Sequence, residues 1–510
     1  MNPAGDAIAA AALAAGATAS WLRWLRVAQR EHYLPGSVLR FTWRWWTATP
    51  VAAVLSVVAV AATVAAFFIP LLAVVVGLAT LVGPPRLGIR GRTSKLAWTR
   101  RLRTLAAVSA GLLAILGALA AFTATPVALA SVVVLLVPLA VDASSALLAP
   151  IELRASRSWV ERATRRIERV RPQIVAITGS YGKTSTKQHL ADLLAGETAV
   201  VPTPRSFNNR AGLARAINDN LADGTRVFIA EMGTYGPGEI RSMCAWCPPD
   251  VAVITAIGPV HLERFGTLER TLEAKSEITE RARSVVLNVD DQRLAVLADE
   301  LAGQARDVVR AGSSSPEADV RVEVVEGTWR VTVRGETVAH ATQIPGIQAV
   351  NLACALAAAV ALGFDPVGLA ARISKVAPVA NRLAVSTAPS GVLIVDDTYN
   401  SNPAGAAAAL QVLASAPVTG RRVVVTPGMV ELGRRQATEN EAFAGASALL
   451  GATVLVVGRT NAKALEAGVQ AHGGTSIGVT DRDSAVQWVR AELGPGDAVL
   501  YENDLPDHYP

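Results

Sequence analysis

Residues 50 to 83 read PVAAVLSVVAVAATVAAFFIPLLAVVVGLATLVG, without one charged side chain. As a single helix rising about 1.5 Å per residue, the run would far exceed a bilayer core of about 30 Å. Pro70 lies near its middle, so two short helices folded as a hairpin are the simpler expectation. Residues 104 to 149 form a second apolar block, with its turn expected from Thr123 to Pro126.

The flanks of these blocks agree with one another. Arg23, Arg26, Arg30, Arg40 and Arg44 precede the first hairpin. Arg86, Arg90, Arg92, Lys95, Arg100, Arg101 and Arg103 separate the two. Arg154, Arg157, Arg162, Arg165, Arg166 and Arg169 follow the second. Basic loops stay on the cytoplasmic side. Residues 1–150 are therefore expected to be a multi-pass region of the cytoplasmic membrane, about four transmembrane helices as two hairpins, in contact with membrane lipid. Trp43, Trp45 and Trp46 suit an interfacial belt. Residues 7–22, AIAAAALAAGATASWL, stay open between an interfacial helix, a fifth span and a buried helix. Asp6 replaces the basic start a signal peptide needs. Asp142 falls inside the last apolar block; it is a functional candidate or, closer to the cytoplasmic end, a solvated interface residue. Residues 151–172 alternate Arg and Glu with apolar residues, as a basic amphipathic linker helix does.

Hydrophobic residues make up 51% of the chain, and the excess is concentrated before residue 150. Beyond it the composition is that of a globular α/β protein. The net charge of +6 resides in arginines beside the apolar blocks, which speaks of topology and not of nucleic acid. Cys244, Cys247 and Cys354 are too few for a disulfide framework. One C-x-x-C without a second pair reads as buried thiols, with a metal site as the sharper alternative.

The stretch AITGSYGKTS, residues 176–185, ends a β-like run and opens a helix. A common phosphate loop reads GxxxxGK[ST]; here Ile177 stands where its first glycine would be. The context still suits anions, because backbone N–H groups and a helix N-terminus face them. Lys183 would reach the β- and γ-phosphates, and Thr184 or Ser185 would offer a hydroxyl to Mg²⁺. RVFIAEMG is a second buried-strand pattern ending at Glu231. Parallel sheets bind ligands at the carboxyl ends of their strands, so Glu231 is a metal candidate, or a helix cap. A third strand, VAVITAIG, leads to His261 and then to Lys275 on a helix; each alone would read as a surface residue.

These stretches, with SFNN, EMGTYGPGEI, LNVDD, DDTYNSNP and GMVELG in this order, resemble the Mur ligases, and within them the D-alanyl-D-alanine-adding (MurF-type) branch. The resemblance spans about 172 to 460. It implies a central P-loop ATPase domain at 173–376 and a Rossmann-like C-terminal domain at 377–510. It implies an ADP-forming ligase that phosphorylates a carboxylate with ATP and lets an amine displace the phosphate. By similarity, Gly179, Ser180, Tyr181, Gly182, Lys183, Thr184 and Ser185 hold the phosphates. Thr184 and Glu231 bind one Mg²⁺, His261 and a carbamylated Lys275 a second. Asn208 and Asn209 lie near the γ-phosphate and Asn288 at the adenine. Arg382 and Asp397 meet the nucleotide from the other domain, with Tyr399, Asn400 and Asn402 along the cleft.

The chain departs from that family in three places. The membrane block stands where the UDP-sugar-binding domain is expected. Gln348 follows the IPG of residues 344–346 where a His is usual. VLYENDLPDHYP replaces a Lys-Gly-Ser-type segment. The first departure makes a lipid-linked or polymeric acceptor plausible beside a UDP-linked one, with an amino acid or dipeptide as the amine. The leading expectation is a membrane-anchored amide ligase of cell-wall precursors with its catalytic domains in the cytoplasm. A poly-γ-glutamate-type synthetase and a membrane ATPase or transporter are the alternatives.

Overall fold

The computed structural model describes residues 3–91, 96–204, 207–399, 401–505, 508 and 509. Arg92, Lys95, Ser206 and Asn400 lie outside the described residues. The chain forms two compact units, Met1–Ala155 with Leu505–Pro510, and Ser156–Asp504.

The first unit is helical: α1 (Pro3–Arg30), α2 (Ser37–Thr47), α3 (Pro50–Ala65), α4 (Ala73–Val82), α5 (Arg100–Ala121), α6 (Pro126–Leu135) and α7 (Val137–Ala155). The chain breaks before Pro70 and again at 122–125, where proline opens the next helix. By length and composition, two helices can cross a membrane, Ala4–Arg30 and Arg100–Ala121, or up to four if each bent pair counts as one span. The bends are 110° between α2 and α3 and 60° after α6. The block at 7–22 is thus part of a 28-residue helix, and this helix is central to its unit. Trp24, Leu25, Val27 and Ala28 are fully buried. Glycines let α1 and α4 touch backbone to backbone: a Cβ on Gly77 would lie 2.4 Å from the Ala12 carbonyl oxygen.

Polar groups inside this unit satisfy helix ends. Arg23 donates to the carbonyls of Thr80 (2.8 Å), Leu81 (2.5 Å) and Gly83 (2.9 Å), the last turn of α4. Asp142 is buried, not solvated. It accepts from Gly36 N (2.7 Å) and Val38 N (3.0 Å), so it caps α2 from another helix. Tail residues His508 and Tyr509 pack on the Phe41 ring, with centroids 5.1 and 5.0 Å away. Trp45 Nε1 donates to the His508 carbonyl at 2.8 Å, and His508 Nε2 lies 3.1 Å from Glu31 Oε1. Aromatic burial and two polar contacts are why the tail belongs here.

The second unit begins with α8 (Arg157–Val170), whose Val160 and Ala163 enter an apolar core. Its first sheet holds β1 (Gln173–Thr178), β2 (Val200–Pro202), β3 (Val227–Glu231), β4 (Val251–Ile254), β5 (Ser284–Asn288), β6 (Asp307–Gly312), β7 (Val320–Val325), β8 (Thr328–Val333) and β9 (Glu336–Thr342), in the order β2-β3-β1-β4-β5-β6-β7-β8-β9. Strands from β2 to β7 pair in parallel and β8 and β9 are antiparallel. The helix α9 (Lys183–Leu194) follows β1, and α10 (Arg210–Asn220), α11 (Glu239–Cys244), α12 (Leu262–Phe265) and α13 (Leu268–Ser276) come in turn. Every residue of β3 is buried, as expected of a strand covered on both faces.

The second sheet holds β10 (Ala384–Thr387), β11 (Leu393–Asp397), β12 (Arg422–Thr426), β13 (Thr453–Val457), β14 (Ser476–Val479) and β15 (Ala498–Glu502), ordered β10-β11-β15-β12-β13-β14. Only β10 runs antiparallel to its neighbour. The three cysteines are buried and free. Cys244 Sγ lies 3.8 Å from Met232 Sδ, and burial pushes its thiol up to about 12.

Candidate active site

The central strands β3, β1 and β4 end side by side, with Ile177 registered to Glu231 and Thr178 to Ile254. This sets the loop 179–182, Glu231 and the β4 exit at one rim of the sheet, where such folds bind ligands.

Two glycines make the short loop possible. Gly182 has φ +83°, a conformation that disfavours a side chain, and a Cβ there would lie 2.4 Å from Asn351 Oδ1. At Gly179 a Cβ would meet Thr255 Oγ1 at 2.0 Å. The loop is braced on the β4 exit: Ser180 N donates to the Ala256 carbonyl at 2.8 Å, and Gly258 N donates to Ser180 Oγ at 2.9 Å. Thr255 Oγ1 donates to the Tyr181 carbonyl.

Lys183 opens α9 and donates to the carbonyls of Gly179 (2.6 Å) and Ser180 (3.3 Å). Burial lowers its ammonium to about 8, with Glu231 opposing and Arg382 adding to the shift. Thr184 Oγ1 donates to Glu231 Oε2 at 3.1 Å, and Asn208 Nδ2 donates to Glu231 Oε1 at 3.2 Å. Lys187, one turn beyond Lys183, donates to Glu231 Oε2 at 2.9 Å. Burial alone would raise the Glu231 carboxyl, but the charges of Lys187 and Lys183 and the hydrogen bonds from Lys187 and Asn208 hold it below its usual range. Lys275 on α13 is buried; desolvation first, and the charge of Lys183 second, lower its ammonium well below the ordinary value.

Residues from the second sheet domain join them. Arg382 Nη2 approaches Thr184 Oγ1 at 3.5 Å and its guanidinium lies 4.4 Å above the Tyr399 ring. Asp397 accepts from Leu383 N at 3.2 Å, and burial raises its carboxyl to about 6. Asn402 caps the helix Pro403–Ser415 through Gly405 N, 3.0 Å. A cleft open to solvent runs between the loop and this domain, lined by Tyr181, Gly182, Ser185, Arg382, Asp397 and Asn402 among others.

Three expected ligands have at least one polar atom engaged elsewhere. Asn288 spends its amide on the fold: Nδ2 donates to the Thr255 carbonyl (2.8 Å) and Oδ1 accepts from Asp290 N (3.0 Å). These two bonds tie the end of β5 to the β4 exit. Asn209 Oδ1 caps α10 through Gly212 N at 2.9 Å. His261 Nδ1 meets the Glu431 carboxylate of the other domain. Among the described residues, no group of three or more His, Cys, Asp and Glu is arranged to hold a metal. The available donor set is a hydroxyl beside one carboxylate, Thr184 and Glu231. Hard oxygen donors of this kind fit Mg²⁺, which takes few protein ligands and keeps phosphate and water as the rest.

Sequence reasoning missed Lys187, Glu431, Glu502 and His189. Lys187 was legible as a second lysine at i+4 on the helix that presents Lys183. His189 lines the cleft, and burial lowers its imidazole to about 4. Glu502 stands beside Asp397 in register on β15, a pairing no local pattern announces.

Residues 177–362 match the Mur ligase middle domain, and residues 381–501 match the Mur ligase, glutamate ligase domain. The chain is 32% identical over 362 residues to the UDP-N-acetylmuramoyl-tripeptide–D-alanyl-D-alanine ligase of Mycobacterium leprae, covering 64% of this chain and 70% of that protein. It is 33% identical over 358 residues to the ligase of the same name from Mycobacterium tuberculosis, covering 64% and 69%. The fold is similar to the MurF ligase of Thermotoga maritima in complex with ADP, with a TM-score of 0.57 and 27% identity over 68% of this chain and 80% of that one. With the loop, the paired domains and these relatives in agreement, the chain belongs to the Mur ligase family of ATP-dependent, ADP-forming amide ligases.

Proposed function

We propose that this protein is a membrane-anchored ligase that joins an amino acid or dipeptide amine to the carboxylate of a cell-wall precursor. The observation that carries the reading is a chain of contacts at the short loop: Lys183 closes on the Gly179 carbonyl, Thr184 donates to Glu231, and Arg382 of the second sheet domain reaches Thr184 beside the cleft that it lines. The relatives' name, a tripeptide–D-alanyl-D-alanine ligase acting on a UDP-linked precursor, supports the substrate class.

In this reading the acceptor carboxylate oxygen attacks the γ-phosphorus, the bond to the ADP oxygen breaks, and an acyl phosphate forms. The amine then attacks the acyl carbon, inorganic phosphate leaves, and the amine proton is lost. Two anions must approach first, so positive charge dominates the site. Lys183 and the loop amides bind the phosphates, and Arg382 adds charge from the opposite wall. Thr184 and Glu231 would hold one Mg²⁺, and His261 with a carbamylated Lys275 a second; such ions neutralise phosphoryl oxygens and orient them for in-line displacement. The neighbouring domain covers the cleft, which would protect the acyl phosphate from water.

Membrane anchoring is supported by the surface of the helical unit. On α3, Val51, Val54, Val57, Val60 and Val64 are each at least 55% exposed, a burden that lipid relieves and water does not. The basic stretches around the helices support a cytoplasmic catalytic unit, and such an anchor would hold the site near a lipid-linked acceptor.

The test uses the full chain in nanodiscs with ATP and Mg²⁺. UDP-linked and lipid-linked peptides are offered as acids, and D-alanyl-D-alanine and single amino acids as amines. An amide product formed mole for mole with ADP is expected by mass spectrometry. ATP hydrolysis that ignores every acceptor would instead make the protein a membrane ATPase. Resistance of the chain to carbonate extraction from membranes tests the anchor separately.

A further inference from the structure

His261 sits at the exit of β4, and its ring is held from the other sheet domain. Glu431, in the GMVELG segment after β12, contacts His261 Nδ1 with Oε2. Its Oε1 accepts from Arg264 Nη2 at 3.0 Å, and its carbonyl accepts from Glu263 N at 3.3 Å. The Arg264 guanidinium lies 4.5 Å from the Tyr235 ring centroid, and that ring meets the His261 ring at 5.3 Å. His261 and Glu431 both have positive φ, 58° and 63°. Non-glycine residues adopt that conformation at a cost, and such strain clusters where surrounding contacts hold a working geometry.

We propose that Glu431 is a positioning residue for His261, fixing the imidazole through Nδ1 and leaving Nε2 as the metal-binding nitrogen once the two sheet domains have docked. The inference rests on the reading of His261 as a metal ligand. Metal-binding imidazoles commonly donate their other N–H to a carboxylate, which fixes tautomer and ring orientation. Here the carboxylate belongs to a different domain, 170 positions further along the chain. Orientation of the ligand is therefore coupled to closure: the metal prefers the docked state and the docked state prefers the metal, by reciprocity of linkage. Arg264 keeps the Glu431 carboxylate in place and is held in turn by Tyr235.

The test is a double-mutant cycle read by Mn²⁺ electron paramagnetic resonance, on the full chain in detergent with saturating ADP. His261→Ala and Glu431→Ala are each expected to weaken Mn²⁺ binding about tenfold or more. The double variant should bind no more weakly than His261→Ala alone, because Glu431 acts through His261. Glu431→Leu, closer in volume, is expected to match Glu431→Ala and serves if that variant does not fold. If His261→Ala weakens Mn²⁺ binding and Glu431→Ala does not, the positioning role is overturned while the metal reading stands. If the two losses multiply in the double variant, Glu431 acts elsewhere and the proposal fails. If His261→Ala has no effect, the metal reading fails and takes this inference with it.

Discussion

Lys187 and Glu231 form an ion pair 2.9 Å apart in which both side chains are at least 95% buried. The pair explains how a carboxylate can wait, charged, at the end of an apolar strand. It also sets a competition, because the oxygen that Lys187 holds is the one that Thr184 touches. A cation bound by Thr184 and Glu231 takes over part of the work of Lys187.

Lys187→Met should therefore destabilise the metal-free protein by about 3 kcal/mol, the usual cost of breaking a buried pair. Mg²⁺ with ADP should recover much of that loss, since a dication replaces the missing charge. Thermal unfolding of the full chain with and without Mg²⁺-ADP checks this. An equal shift in both conditions would mean that Glu231 does not meet the metal.

Asp397 and Glu502 predict a pH dependence. They face each other in register on β11 and β15, and Ser401 Oγ donates to Glu502. Burial raises Asp397 to about 6; burial, followed by the charge of Asp397, raises Glu502 well above its ordinary range. An acid whose pKa is raised by folding binds protons in the native state that the unfolded chain has released. Its contribution is present below the unfolded value and declines as pH rises from about 4 through the folded value. Glu502→Gln keeps a partner for Ser401 and removes one ionisation. It should raise stability at pH 8 by on the order of 1 kcal/mol and flatten the decline between pH 4 and 8. Denaturation midpoints across that range decide it, and a variant less stable at pH 8 would show that the charged form is needed.

What was legible in the sequence was local. The loop, its lysine and the carboxylate at the end of β3 could be read because strand, turn and helix lie within one short stretch. Gly182 had to be glycine for reasons visible only in the fold, where Asn351 presses on it. The pairing of His261 with Glu431 was hidden, because the two come from different sheets. The bonds of Asn288 to Thr255 and Asp290 were hidden too, because an Asn at a strand end serves equally well as a ligand or as a tie between strands. The tail was hidden for a related reason. Nothing in NDLPDHYP says that its aromatic end packs on Phe41 at the start of the chain.

Lys275 yields a prediction about carbon dioxide. Burial, and then Lys183, favour its neutral amine, and only a neutral amine attacks CO₂. In the proposed reading the N–C bond would form, a proton would leave to solvent, and a carbamate anion would take the place of the neutral amine near Lys183. Stripping CO₂ should lower ligation, and bicarbonate should restore it. Labelled bicarbonate should give a carbamate ¹³C resonance that Lys275→Ala lacks. That variant should lose about 10–100-fold in rate, as for loss of a metal-orienting group, and a short carboxylic acid should restore part of it. Full activity in Lys275→Ala would remove the carbamate from the mechanism.

Asp142 is the last case, and it separates structure from function inside the helical unit. An acid in an apolar helix invites a transport role. Its two oxygens instead accept from Gly36 N and Val38 N, at 2.7 and 3.0 Å, where α2 begins without a cap of its own. The N-terminal end of a helix carries unpaired donors and partial positive charge, so a carboxylate there is doubly favourable. Asp142→Ala removes the acceptor of both donors and should cost about 1–2 kcal/mol, read as a lower melting temperature in nanodiscs. Asp142→Asn keeps one acceptor and should cost less than that. Neither change touches the nucleotide cleft, so ATP-dependent ligation at temperatures below the melt should stay within about twofold of wild type, a margin of about 0.4 kcal/mol. Should Asp142→Asn melt normally and yet abolish ligation, the carboxylate would have work beyond capping α2.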